Sequence, residues 1–311
     1  MNEEFEKRSR TVFKILSLLI KIEPGIIFLG GSAIQALFEK PKRLSIDLDI
    51  SYPGEMKGLI GNLEAEGYIV KERASRTDNF LFYSISKEDV MVKLDIGRYE
   101  IPETETHEIN GTKVLIPKKC YFLASKLSSL AFGTIGRFEI EPIQVIKDIF
   151  DIDCLLDLRV DLDHMNSDWN HIISDQNRLR GKQFSDAQCI KSIQSLLLKC
   201  ADVAPMPEFF IQQSALGGFG DFLPKGRIKR QDIATMAARS LLLLANMDNG
   251  FYDIEKTVLS ESENPEKLEE AERMLVENDF INTKQIRALK IAAPKALIYL
   301  KFFAVKETSI R

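Results

Sequence analysis

Residues 28–50 read FLGGSAIQALFEKPKRLSIDLDI, and the fold class follows from how this stretch is parsed. A short apolar run ends in a Gly30-Gly31-Ser32 turn. A helical turn or two follows, then a basic loop, then a second strand. In that strand Asp47 and Asp49 alternate with Ile46, Leu48 and Ile50. Residues two apart on a strand share a face, so both carboxylates project together while the aliphatic side chains pack behind. Like charges held that close disfavour each other's ionisation unless a cation sits between them. Oxygen ligands at this separation suit Mg²⁺ or Mn²⁺, ions that complete an octahedron with phosphate oxygens and water.

Gly30, Gly31 and Ser32 supply the other half of such a site. Paired glycines let the backbone come close to a ligand, and a turn opening a helix favours an anion through its N–H groups and dipole. The Ser32 hydroxyl either contacts a phosphate or caps the helix. Alone, an Asp-x-Asp strand reads as the wet face of a half-exposed sheet, and Gly-Gly-Ser as a tight turn. In this order, on these elements, they make a site for a nucleoside triphosphate and its metal.

A chain of 311 residues that is 45% hydrophobic buries a large core and is expected to form two lobes. The net charge of −4 neither demands nor excludes a nucleic-acid partner; only a local basic patch could supply one. Cys120, Cys154, Cys189 and Cys200 show no metal-ligand spacing and read as reduced, buried thiols. His107, His164 and His171 are too scattered for a histidine metal site. Met1–Arg10 is charged, with no signal pattern, and no apolar run has membrane-spanning length. The expectation is a soluble cytoplasmic protein without a membrane partner.

Along the chain, helical spacing of Phe5, Val12, Ile15, Leu16 and Leu19 predicts a helix over 3–22. A helix over 55–66 and strands at Tyr68–Val70, Phe80–Ser86 and Val90–Ile96 follow, with 97–116 read as loop and weak strand. The pattern is α+β, a small mixed sheet over 1–116 followed by a mainly helical lobe over 117–311. In the helical part, Lys118–Ala131, Pro142–Leu158, 171–180, 184–200, 206–215, 230–246, 265–278 and 286–304 are expected helices, and Gly217–Gly226 a loop. Arg178, Arg180 and Lys182, and Lys225 to Arg230, are the concentrated basic runs. They read as RNA contacts or as solvated faces.

The strand VMVKLDIG repeats the first acidic strand: Val92, Leu94 and Ile96 alternate with Lys93 and Asp95. If the two strands are neighbours, Asp95 becomes a third carboxylate beside Asp47 and Asp49; otherwise it is part of a polar strand face. Lys93, on the same face, meets a triphosphate or balances the acids.

The arrangement GGS, then Asp-Leu-Asp, resembles the nucleotidyltransferase superfamily, and the form here resembles its AbiEii toxin group. The segments LASKLSSL and KDIFDIDCLL resemble that group's later motifs. The resemblance implies that Lys126 neutralises triphosphate charge and that Asp148 belongs to the same cleft, with Asp151 one turn on; Arg137 is a weaker candidate. An ordinary ion pair between Lys126 and Asp148 is the plain structural alternative. Asp47, Asp49 and Asp95 would be metal ligands, and Asp95 would hold the nucleophile-side ion or take the acceptor's proton. The resemblance further implies transfer of a nucleoside monophosphate to a tRNA 3′ end, and a cognate antitoxin. Transfer to a small molecule or a protein, and a non-catalytic nucleotide- or RNA-binding module, are the competing readings.

Overall fold

Alternation of aliphatic and polar residues gives strands with one dry and one polar face, and the protein stacks helices on the dry face. The computed structural model describes residues 3–74, 80–203, 213–224, 227–248 and 250–310. The chain divides into two compact units: Met1–Lys118 with Gly220–Gly226, and Lys119–Phe219 with Arg227–Arg311.

The first unit runs α1 (Glu3–Ile22), β1 (Ile27–Leu29), α2 (Gly30–Ala36), β2 (Asp47–Ser51), α3 (Met56–Ala65), β3 (Ile69–Arg73), β4 (Phe80–Lys87), β5 (Val90–Gly97), β6 (Thr104–Ile109) and β7 (Thr112–Pro117). One mixed sheet holds the strands in the order β3-β4-β5-β2-β1-β7-β6. β2 lies parallel to β5 and β1 parallel to β7; the other pairs are antiparallel. Val12, Ile15, Leu16 and Leu19 of α1 are buried, as are Phe28, Leu48, Ile50, Val92, Leu94 and Ile96 on the strands that α1 contacts. Burial of that many large aliphatic side chains, each contributing roughly 1.5–3 kcal/mol, holds the sheet to its helices. The opposite face of β2 and β5 carries Asp47, Asp49, Lys93 and Asp95.

Two features differ from the sequence-based expectation here. The stretch 97–116 contains a β-hairpin, β6–β7, with a left-handed Asn110-Gly111 turn (φ 51° and 77°). β6 is an edge strand whose Thr104, Glu105, Thr106 and Glu108 are exposed, so no apolar periodicity announces it. Phe222 also belongs to this unit: its carbonyl accepts from the Leu44 N–H at 2.7 Å, and its ring meets Phe5 edge-on.

The second unit is helical among its described residues: α4 (Lys119–Ser129), α5 (Pro142–Asp157), α6 (Met165–Arg180), α7 (Asp186–Cys200), α8 (Gln213–Gly220), α9 (Arg230–Ala245), α10 (Gly250–Glu261), α11 (Pro265–Glu277), α12 (Thr283–Ala292) and α13 (Pro294–Ile310). Gly220, the last residue of α8, is counted with the first unit. α9 is buried almost all round from Ile233 to Leu244, as a central helix must be, and packs on α5, α7 and α13. Arg239 enters this core held by Asp153, Asp157 and Glu255 at 2.6 to 2.9 Å. Of the expected helix over 206–215, residues 206–212 lie outside the described residues. Part of the expected Gly217–Gly226 loop is α8, a helix despite its glycines. The single helix expected over 286–304 is two. Ala293 leaves helical geometry (φ −148°, ψ 63°) because the ring of Pro294 disfavours the helical region for the residue before it. α10 was not expected, and α6 starts earlier than residue 171 because the turn carrying Trp169 is buried.

Candidate active site

Asp49 sits at the centre of the acidic face because its strand has neighbours on both sides. Leu29 pairs with it across β1, and Asp95 pairs with it across the parallel β2–β5 ladder. Directly paired residues on neighbouring strands, about 4.8 Å apart, show their side chains on one face. The two strand acids of the motif and the third acid therefore share a face, as do Asp47 and Lys93, paired two residues along.

The glycine turn is shaped to the Asp49 carboxylate. Gly30 has φ +68°, and a Cβ built on it would fall 1.9 Å from Asp49 Oδ2. Gly31 leaves the same kind of space for another group, since a Cβ there would meet the Arg43 guanidinium at 2.4 Å. Arg43 is buried, and its Nη1 donates to the Leu44 carbonyl at 3.1 Å. Ser32 is fully buried, and its hydroxyl donates to the backbone carbonyl of Asp47 at 2.5 Å. The serine thus ties the turn to the acidic strand, and α2 begins without a side-chain cap. Behind it the Gln35 amide accepts from the Ser45 N–H at 2.6 Å and donates to Ser9 at 3.0 Å, fixing the loop between turn and strand.

Asp95 is held differently from its companions. Burial pushes its carboxyl up to about 6, a rise that Arg73 opposes, Asp47 adds to and Lys93 opposes. Arg73 Nη1 lies 3.5 Å from Asp95 Oδ1, yet neither atom makes a hydrogen bond and both are buried. Arg73 was not anticipated from the sequence. It reaches Asp95 because Arg73 pairs with Phe82 and Phe82 with Asp95, a row running across three strands.

The aspartate pair on β2, with a buried Asp95 oxygen that makes no hydrogen bond on the neighbouring strand, offers oxygen-donor chemistry that suits Mg²⁺ or Mn²⁺. As placed, no three His, Cys, Asp or Glu side chains among the described residues could hold one metal ion together.

In the helical unit, Lys126 of α4 donates to Asp148 at 3.0 Å and lies 2.8 Å from Asp151. Arg137 pairs with the other oxygen of Asp148. Asp148 and Asp151 are both buried. Burial raises the Asp148 carboxyl, but the Lys126 and Arg137 charges outweigh it and hold it below the ordinary carboxylate range. The i, i+3 spacing puts Asp148 and Asp151 on one face of α5, where one lysine reaches both. This is the ion pair of the plain structural reading, with Asp151 and Arg137 added. Of the basic runs, Arg178 pairs with Asp175, and Arg180 lies over the Phe138 ring at 4.8 Å. Lys225 and Gly226 lie outside the described residues.

The family described as "Nucleotidyl transferase AbiEii toxin, Type IV TA system" matches residues 20–202, more than half of the chain, a span that contains Gly30, Gly31, Ser32, Asp47, Asp49 and Asp95. The chain belongs to the AbiEii nucleotidyltransferase toxin family. No match emerges among curated proteins. Among solved structures, an antigenic nucleotidyltransferase-like protein from Paracoccidioides brasiliensis is similar at 17% identity. The match has a TM-score of 0.38 and covers 58% of this chain and 96% of that one. This AbiEii-family chain is a nucleotidyltransferase, and no helix among its described residues is long and apolar enough to cross a membrane.

Proposed function

We propose that the protein moves a nucleoside monophosphate from a nucleoside triphosphate to a hydroxyl at the 3′ end of an RNA acceptor, a tRNA by family resemblance. Mg²⁺ or Mn²⁺ assists, and a cognate antitoxin restrains the resulting toxicity. The observation that carries this reading is the parallel pairing of Asp49 with Asp95 beneath Gly30, with one Asp95 oxygen buried and unbonded. Asp47 and Asp49 would hold the cation, leaving Asp95 to take the acceptor's proton. Bound there, the cation would stabilise charge on the triphosphate and on the acceptor oxygen.

The chain's own groups divide the remaining work. The Gly30-Gly31 backbone receives the β- and γ-phosphates, and Ser32 keeps Asp47 in place against that turn. The acceptor hydroxyl loses its proton to Asp95 as its oxygen bonds to the α-phosphorus. The bond from that phosphorus to the bridging oxygen of pyrophosphate breaks, and pyrophosphate leaves. Lys93 steadies the triphosphate from the neighbouring strand.

Incubation with each radiolabelled triphosphate, Mg²⁺ and either total tRNA or cell protein tests the reading. Label entering RNA with wild type and not with Asp49→Ala supports it. Label entering protein alone, or equal labelling by both forms, rejects it. Expression of wild type, and not of Asp47→Ala, should slow host growth, and equal growth would count against a toxin.

A further inference from the structure

The sheet continues outward from Asp95 through β4 and β3, and the face it shows there has a distinct composition. One row of paired residues runs Asp47, Lys93, Ser84, Lys71; the next runs Asp49, Asp95, Phe82, Arg73. Beyond them a third row places Met91, Ser86 and Ile69 together. On this face of β3 and β4, and on β5 before Asp95, the described side chains include three cations and no acid. The same strands' other face carries the buried Tyr83, Ile85, Val92 and Leu94. Lys71 and Lys93 are exposed, and Ile69 and Met91 are 60% and 43% exposed, so the outward face is open.

Aromatic rings lie among these cations. Phe80 and Phe82 are nearly parallel, 9° apart, with centroids 6.5 Å from each other. The Arg73 guanidinium lies 5.8 Å from the Phe82 centroid, and Tyr99 meets Phe80 edge-on at 5.6 Å. Cations spaced along strands beside half-exposed rings, with the acids confined to the Asp47, Asp49 and Asp95 end of the face, are the elements by which proteins hold single-stranded nucleic acid: charge for the backbone, a ring for a base.

The geometry points to this face as the seat of the acceptor: the unpaired 3′-terminal nucleotides of an RNA lie across β5, β4 and β3. Lys71 meets their phosphates, a base lies against Phe82 and Arg73, and the terminal hydroxyl is delivered to Asp95. This rests on the nucleotidyl-transfer reading above and deepens it by naming where the acceptor binds. The position explains why an RNA end, carrying regularly spaced negative charge, fits better than a neutral or cationic acceptor. Lys71, Phe82 and Arg73 are thereby binding and positioning residues.

Fluorescence anisotropy of a short, 5′-labelled single-stranded RNA, titrated with the full chain in EDTA and without triphosphate, reads binding apart from transfer. Lys71→Glu should weaken binding by about tenfold and lower the slope of log Kd against log salt by about 0.7, the share of one phosphate contact. Phe82→Ala should weaken it roughly five- to a hundredfold with the salt slope unchanged, as expected for a lost base stack. Lys57→Glu, on the exposed surface of α3, should bind like wild type. Asp49→Ala, which abolishes transfer under the first reading, should still bind, so failure of the chemistry and failure of this surface are distinguishable. Wild type that does not bind overturns the proposal. So does Lys71→Glu that binds as tightly as wild type, or Lys57→Glu that weakens binding as much as Lys71→Glu. Lys71 is solvent-exposed, so its replacement keeps the fold even if Phe82→Ala does not.

Discussion

Gly30→Ala is the sharpest probe of the glycine turn. The alanine must hold φ near +68°, a left-handed conformation that costs an L-residue about 1–2 kcal/mol. Its Cβ would also lie 1.9 Å from Asp49 Oδ2, 2.6 Å from Cγ and 2.8 Å from Cβ, all far inside van der Waals contact of about 3.5–4.0 Å. Asp49 cannot retreat with its backbone, because its strand is paired with β1 on one side and β5 on the other. The side chain must leave its rotamer instead, at about 0.5–1.5 kcal/mol. The total is about 1.5–3.5 kcal/mol, on the order of 10 °C in the melting of the first unit. Gly31→Ala should cost less: its conflict is with the end of the Arg43 guanidinium, and its φ is not in the left-handed region. Gly25→Ala, with nothing within 4 Å of its Cβ, should be near neutral. The decisive measurement is a double-mutant cycle followed by thermal unfolding in EDTA. Asp49→Ala should recover the steric part of the Gly30→Ala penalty and leave the backbone part. Strict additivity of the two substitutions, or Gly30→Ala melting with wild type, would refute the close packing of turn and carboxylate.

Asp95 binds a proton more readily in the folded protein, near pH 6, than its ordinary value of 3.8 allows, so its contribution to stability declines as pH rises between those values. In EDTA, Asp95→Asn should be more stable than wild type above pH 6, with the difference closing below pH 4. The rise from 3.8 to about 6 corresponds to about 3 kcal/mol, reduced to about 1 kcal/mol because the side chain is 36% exposed; a pH-independent difference in urea midpoints contradicts it. Lys126→Met should cost about 3–5 kcal/mol by leaving Asp148 and Asp151 buried without their shared ammonium. Adding Asp148→Asn and Asp151→Asn should restore most of this in denaturant titration. Asp148 stabilises the fold fully above the ordinary carboxylate range, and that contribution is lost as pH falls through its lowered value, so Asp148→Asn should flatten the acid limb of the stability profile. Arg239→Met should destabilise by a similar 3–5 kcal/mol, since Asp153 and the buried Glu255 lose their counter-charge. Mn²⁺ binding, read by electron paramagnetic resonance, should be unaffected by Arg239→Met and weakened by Asp49→Ala.

Much of the acidic face was legible from the chain alone. Alternation of Leu48 and Ile50 with two aspartates, and of Val92, Leu94 and Ile96 with Lys93 and Asp95, determines strands with one dry and one charged side, because side-chain direction along a strand is local geometry. The glycine turn before a short helix was equally local, and the spacing of Asp148 and Asp151 put both on one helical face. Other features depended on partners remote in sequence. The parallel register that sets Asp49 beside Asp95, the reach of Arg73 across β4 to Asp95, and the close approach of Gly30 to Asp49 exist only once strands pair. The return of Phe222 to the first unit is likewise long-range. The hairpin β6–β7 reads in sequence only as loop and weak strand because an exposed edge strand has no dry face to impose alternation, and the Ser32 hydroxyl, open in sequence to a phosphate or to the helix cap, donates to a backbone carbonyl that nothing local reveals. Sequence determines which way a side chain points from its own backbone; only the folded sheet decides what stands opposite it, since hydrogen-bonded register is a property of two segments at once.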